Sequence, residues 1–241
     1  MLYSSYMDII ANYQQKVLKL LSGKIEGFYL AGGTALSLYY FNHRLSVDLD
    51  FFTHDFKISR VEEIAGLISS GLKKNIKLIT RLSDKDKAQV LVYSLDLGRG
   101  KSLKIDFVHD FIKFIKAPKL INGVNILSLE DLYLRKLSAI LGHSAIEDDI
   151  GRKVARGGRQ EAKDFYDLYC LSQIFMRLSD FAGKYGSPLI RESIIRWFRS
   201  YKRFDMKTGL LELGLKKDVD FNDIERHFKR EVDKIIEKEV G

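Results

Sequence analysis

The sequence predicts an α+β protein: a strand-containing N-terminal domain over residues 1–127, followed by a helical domain over residues 128–241. Three observations predict it. Short β-rich runs alternate with helical stretches up to about residue 127, the apolar spacing turns helical after Ser128, and no flexible linker intervenes, Pro118 and Pro188 being the only prolines. At 241 residues and 46% hydrophobic, the chain can bury a substantial core without disulfide or metal staples.

Met1 to Leu21 mixes Asp8, Asn12, Gln14, Gln15, Lys16 and Lys19 with apolar residues, which fits an amphipathic helix and not a cleaved leader. Strands are predicted at Phe28 to Ala31, Val47 to Phe52, Ile76 to Arg81, Gln89 to Leu95 and Leu103 to Val108. Ser128 is placed to cap the next helix, with Asp131 at the capping-box position ahead of Leu132, Leu137 and Ile140. Further helices are predicted at Gln160 to Ile174, Pro188 to Tyr201 and Asp220 to Lys238, so the second half is expected to be all-helical. Gly151 to Gly158, rich in glycine and cations, reads as an exposed loop between helices.

Composition excludes several classes. The single cysteine, Cys170, rules out an internal disulfide framework or a cysteine-rich zinc site; it fits a small core residue in a reducing, cytoplasmic setting. No run approaches the roughly 20 uncharged apolar residues of a membrane span, so no membrane role is expected. The formal net charge of +8 permits a polyanionic partner such as RNA. The excess is local: Arg152, Lys153, Arg156, Arg159 and Lys163 form one basic segment, and Arg191, Arg196, Arg199, Lys202, Arg203 and Lys207 another. Each segment is either a phosphate-facing surface or a solvated helical face.

The stretch Phe28 to Phe52 carries the chemistry and runs strand, glycine turn, helix, strand. At Gly32-Gly33 the missing β-carbons permit unusual dihedrals and close approach, and Thr34 opens a helix whose free N–H groups can meet a phosphate. Such turns also serve geometry alone. Asp48 and Asp50, two residues apart on a strand, point to one face. Two adjacent carboxylates repel, which stability explains poorly, yet they suit Mg²⁺ (or Mn²⁺), which takes oxygen ligands. Asp106, among Ile105 and Phe107 on another strand, is a third candidate ligand that makes a two-metal site feasible; it could equally be a lone exposed acid. Arg44 and Ser46 either bind a triphosphate or, for Arg44, pair with Asp48. His43, His54, His109 and His143 show no metal-ligand spacing and are read as structural.

Gly32-Gly33-Thr34-Ala35-Leu36, then His43-Arg44, then Ser46-Val47-Asp48-Leu49-Asp50-Phe51-Phe52 resembles the first motif of the AbiEii-type toxin nucleotidyltransferases, within the DNA polymerase β-like nucleotidyltransferase superfamily. Leu129-Glu130-Asp131-Leu132-Tyr133-Leu134-Arg135-Lys136-Leu137 resembles the family's lysine-bearing helix, and Lys163-Asp164-Phe165-Tyr166-Asp167-Leu168 its closing basic-Asp-x-x-Asp motif. The resemblance spans roughly residues 28 to 170.

It implies a mixed-sheet nucleotidyltransferase core followed by a helical domain that contributes active-site residues. Asp48 and Asp50 are then metal ligands, Lys136 contacts the nucleotide phosphates, and Asp164 or Asp167 acts as a base or orienting group. The implied reaction moves a nucleoside monophosphate from an NTP to an acceptor hydroxyl, in several members at the acceptor end of tRNA, with a cognate antitoxin as partner. Alternative acceptors are a protein side chain or a small molecule; a non-catalytic RNA- or partner-binding module is the remaining alternative. The closing motif usually begins with arginine, whereas Lys163 keeps the charge without the bidentate fork. Asp106 matches the family's strand acid only loosely. From residue type alone, Lys136 reads as a snorkelling surface lysine, and Asp164 and Asp167 either as surface helix pairing or, because Phe165, Tyr166, Leu168 and Tyr169 imply that much of this helix is buried, as buried acids that need partners.

Overall fold

The computed structural model describes residues 2–82, 89–142, 144–147, 153–156 and 158–240. It separates into two compact units, Met1–Leu132 and Tyr133–Gly241.

The first unit is built on a mixed seven-stranded sheet, β1 (Tyr29–Leu30), β2 (Asp48–Thr53), β3 (Ile76–Leu82), β4 (Val90–Gly98), β5 (Lys101–His109), β6 (Lys119–Ile121) and β7 (Val124–Ile126), in the order β3-β4-β5-β2-β1-β7-β6. The pairings β2–β5 and β1–β7 are parallel and the others antiparallel. Each of the five predicted strands lies within this sheet; the short hairpin β6–β7 was not predicted.

Two helices, α1 (Leu2–Leu21) and α3 (Ile58–Leu72), pack against the sheet. Helix α1 buries Ile10, Gln14, Val17, Leu18 and Leu21, and α3 buries Val61, Ile64, Ala65 and Ile68, both at helical spacing. The sheet residues buried with them alternate along their strands: Leu49 and Phe51 on β2, Ile105 and Phe107 on β5, Leu91 and Leu95 on β4. Phe107 stacks on Phe51 at 5.6 Å and meets Phe28 and Tyr93 edge-on.

Ser128 caps α4 (Leu129–Leu141) as expected, its hydroxyl accepting from the Asp131 N–H at 3.1 Å. The Asp131 carboxylate accepts from the Ser128 hydroxyl and from the backbone N–H groups of Ile115 and Lys116, so it also fixes the loop after β5.

The second unit continues α4 and adds α5 (Ala162–Cys170), prolonged by a π-helical turn Leu171–Phe175, then α6 (Leu178–Tyr185), α7 (Pro188–Ser200), α8 (Arg203–Glu212) and α9 (Phe221–Val240). Phe165 on α5 lies at its centre, within 6.2 Å ring distance of Trp197, Tyr201, Phe221 and Phe228. Cys170 is buried, as expected. The all-helical expectation is corrected: β8 (Ser144–Glu147) and β9 (Lys153–Arg156) form an antiparallel hairpin, so part of the predicted loop Gly151 to Gly158 is strand. Four-residue strands display too little two-residue alternation to stand out in sequence. Gly151, Arg152 and His143 lie outside the described residues. Helix α8, which was not predicted, sits against α5, where a β-carbon on Gly209 would stand 2.6 Å from that of Ala162.

A largely buried polar network ties the π-helical turn and α6 to α9. His227 bonds Ser172 Oγ through Nε2 (2.7 Å) and the Gln173 amide through Nδ1 (3.0 Å), while Glu231 accepts from the Ser179 hydroxyl and N–H. Burial, reinforced by Arg177, Arg230 and Lys234 against the pull of Glu231, lowers the His227 pKa from 6.5 to about 4. The unfolded chain therefore takes up a proton that the folded one refuses as pH falls from 6.5 towards 4, and stability is lost across that window. Urea unfolding at pH 7.5, 5.5 and 4.5 should show a falling midpoint that is shallower in His227→Gln; parallel slopes in the two proteins would refute it.

Candidate active site

Strand β2 is central in its sheet, and its exposure alternates strictly: Leu49, Phe51 and Thr53 are buried, whereas Asp48, Asp50 and Phe52 are half-buried on the opposite face. The core residues thus orient the acids by the pleat alone. The parallel register with β5 sets Lys104 opposite Asp48 and Asp106 opposite Asp50. Three carboxylates therefore share one face of two adjacent strands, where like charges side by side oppose folding.

What offsets the repulsion is Lys104, which sequence reasoning passed over. Its ammonium stands 2.6 Å from Asp106 Oδ2. Partial burial works against the charged lysine, but the hydrogen bond to Asp106 and the charges of Asp106, Asp48 and Asp50 outweigh it and hold the pKa above its ordinary value. The lysine's contact with Asp106 is local in sequence, but only the β2–β5 register sets it against Asp48 and Asp50.

Beside the acids lies the glycine turn. Gly32 adopts a φ of +66°, and a β-carbon there would fall 1.9 Å from Asp50 Oδ2. Conformation and close approach both demand glycine at this position. The Ala31 N–H donates to the Asp50 carbonyl at 2.8 Å, locking turn to strand. The helix opens at Gly32 and not at Thr34; α2 (Gly32–Ala35) passes at once into a π-helical turn, Leu36–Phe41. Thr34, fully buried, donates to the Asp48 carbonyl, and its oxygen lies 2.7 Å from the Ser46 hydroxyl.

Gln14 was also missed as a site residue. It sits in the apolar stripe of α1, 1% exposed, and its amide donates to the carbonyls of Ser46 (3.0 Å) and Asp48 (2.9 Å). A lone polar residue within a buried stripe was the available signal. Arg44 is buried, with Nη1 donating to the Leu45 carbonyl at 2.9 Å. Gly32, Gly33, Thr34, Ser46, Asp48, Asp50 and Asp106 thus belong to one neighbourhood of the first unit.

The second unit holds Lys136, Asp164 and Asp167 together. The Lys136 ammonium stands 2.6 Å from a carboxylate oxygen of each, and both aspartates are wholly buried. Arg159 reaches the second oxygen of Asp164 at 2.9 Å from a half-exposed position. Two cations thus balance two anions, as buried charges require. Neither surface alternative survives: Lys136 does not snorkel, and the aspartates do not face water.

Among the described side chains of the basic segments, Lys163 pairs with Glu161, Arg191 with Glu239, Arg196 with Glu192, Lys202 with Asp205 and Arg203 with Glu225, while Arg199 and Lys207 are exposed. A cavity of about 410 Å³ lined by Phe28, Thr53, Lys57 and Arg60 lies at the far end of β2 from Asp48 and contains none of the site residues. Among the described residues no group of three or more His, Cys, Asp or Glu side chains is arranged to hold a metal ion. The donor set nonetheless suits one: Mg²⁺ is commonly bound by one or two carboxylates, with water and substrate phosphates completing the shell. A lysine ammonium already stands among these acids as a cation.

Residues 19–240 match the model of the family described as nucleotidyl transferase AbiEii toxin, type IV toxin–antitoxin system. The chain belongs to this AbiEii family. An uncharacterised protein of Aquifex aeolicus (strain VF5) is 26% identical over 238 residues, 92% of this chain and 94% of that protein. Two Helicobacter pylori structures share the fold at 18% identity. JHP933 has a TM-score of 0.59, covering 95% of this chain and 91% of its own. A protein assigned provisionally as a nucleotidyltransferase has a TM-score of 0.61, covering 97% and 96%. Membership makes the chain a nucleotidyltransferase toxin, which implies a nucleotide substrate and an antitoxin partner. No helix among the described residues is long and apolar enough to cross a membrane.

In this AbiEii chain the basic position of the closing motif, Lys163, faces Glu161 at the surface, and the guanidinium that meets Asp164 comes from Arg159. Arg159, four residues earlier, thus supplies a guanidinium charge beside Asp164 through one nitrogen, not a bidentate fork. The Gly32 turn gives a direct test. Gly32→Ala must displace the Asp50 carboxylate and adopt a strained φ, costing about 1–2 kcal/mol of stability. A misplacement near 1 Å at a reacting centre costs on the order of 10²-fold in rate, and that loss is expected in single-turnover nucleotide transfer by a still-folded variant. A wild-type rate would show that Asp50 need not stay where Gly32 puts it.

Proposed function

We propose that the chain moves a nucleoside monophosphate from an NTP to an acceptor hydroxyl in a Mg²⁺-dependent reaction, with the acceptor on RNA, most simply the acceptor end of tRNA. The observation that carries the proposal is the acidic face itself: Asp48 and Asp50 on the central strand, in register with Lys104 and Asp106 and backed by Gly32.

Asp48 and Asp50 would hold Mg²⁺, or Mn²⁺ in its place; when bound, the ion lowers the pKa of the attacking hydroxyl and neutralises charge developing on pyrophosphate. The Gly32-Gly33 turn and Ser46 would receive the triphosphate, with the buried Thr34 and Arg44 holding that turn and the approach to Asp48 in place. The acceptor oxygen forms a bond to the α-phosphorus, the α–β phosphoanhydride bond breaks, and pyrophosphate leaves while the hydroxyl proton passes to solvent. Asp106 is the third carboxylate of this face. In the second unit Lys136 is the proposed phosphate contact, and Asp164 and Asp167 hold its ammonium in one orientation, a better role for fully buried acids than that of a base. Exposed Arg199 and Lys207 would attract a polyanion with marked salt dependence. A cytoplasmic setting and control by a cognate antitoxin complete the proposal.

The test is incubation of the purified protein with Mg²⁺, each α-³²P-labelled NTP in turn and total tRNA, beside Asp48→Ala/Asp50→Ala, with products resolved on a denaturing gel. Label on RNA from the wild type alone is the expected outcome. Label on protein would replace RNA as the acceptor, and no label with any acceptor would favour a non-catalytic binding module.

A further inference from the structure

We propose that Lys104 is a built-in counter-cation of the acidic face, holding Asp106 as an ion pair so that the resting chain binds one divalent ion, at Asp48 and Asp50, and not two. The inference rests on the metal-dependent reading above and deepens it.

Three observations converge. Lys104 and Asp106 are two residues apart on one strand, so they share a face, and their 2.6 Å contact occupies one Asp106 oxygen with a cation. The parallel register sets this pair directly against Asp48 and Asp50, so the ammonium answers the charge of all three acids. These three carboxylates and this ammonium by themselves sum to −3 + 1 = −2, the charge that a single divalent ion matches; without the lysine the three acids sum to −3. That no three-acid cage is preformed among the described residues follows from the same arrangement, since Asp106 already has its cation.

A two-metal site needs Asp106 as an additional ligand, and the ammonium on its Oδ2 repels a second ion there, so such a site is favoured when Lys104 leaves. Its side chain is 43% exposed and has room to do so, but only against its attraction for Asp106. Lys104 is thus a positioning residue that sets how many ions the free enzyme holds.

The experiment is Mn²⁺ titration of the full chain, following the free-ion electron paramagnetic resonance signal, with no nucleotide present. One ion is expected in the wild type and in Lys104→Arg. Lys104→Met, confirmed folded by circular dichroism, is expected to take up two and to bind the first on the order of ten- to a hundredfold more tightly, because one positive charge beside the ion is removed in a partly buried setting. Two ions in the wild type, or equal counts in wild type and Lys104→Met, would overturn the proposal while leaving the metal site standing. Mn²⁺ binding unchanged in Asp48→Asn/Asp50→Asn would instead remove the metal site, and the counter-cation with it.

Discussion

Asp48→Asn/Asp50→Asn will lower nucleotide transfer by about 10³-fold or more while the protein stays folded. A bound divalent ion contributes several kcal/mol of transition-state stabilisation, and each 1.36 kcal/mol is tenfold in rate. The fold depends on a different part of the same residue. Asp48 is anchored through its carbonyl, which accepts from Thr34 and Gln14, and Asn keeps that backbone and the side-chain volume. Removing two of three neighbouring negative charges also relieves repulsion, so the thermal midpoint should hold or rise. Measured together, single-turnover rate and melting temperature separate the roles. A large rate loss with an unchanged or raised midpoint supports metal binding by the pair; a collapse of both would make the acids structural.

How much of this was legible in the sequence depended on how far apart the partners lie. Asp48 and Asp50 declare their shared face through a two-residue period, and Ser128 and Asp131 declare a cap through a three-residue one; both are local. Lys104 stands two residues from Asp106, yet its meaning depends on β5 running parallel to β2, a pairing that spans more than fifty residues and leaves no local trace. The same holds for Lys136 with Asp164, 28 residues apart. Read alone, Lys136 has the pattern of a surface helix residue, and the aromatic neighbours of Asp164 signal burial without naming its partner. Helix α8 was missed for another reason: its packing relies on Gly209 approaching α5, an absence of side chain that apolar periodicity cannot register.

Lys136→Met will destabilise the second unit severely, and this bears on how the residue's function is read. Asp164 and Asp167 are wholly buried, and removing the ammonium that serves both strands at least one charge in the interior. Breaking a buried pair from one side costs about 3–5 kcal/mol, against the roughly 5–15 kcal/mol that holds a whole domain together. A melting midpoint lower by tens of degrees, or loss of cooperative unfolding, is expected. Asp167→Asn is the informative second change because Asp164 keeps Arg159 at 2.9 Å. With Lys136 and one carboxylate gone, the remaining pair balances, and the double variant should recover more than half of the lost stability. If it regains stability but not nucleotide transfer, Lys136 acts on the nucleotide beyond its role in the ion cluster. If it regains both, the buried cluster is a structural support and the phosphates are met by another cation. A single Lys136→Met variant measured by activity alone cannot separate these cases, because two of the ammonium's three N–H donors are already directed at carboxylates.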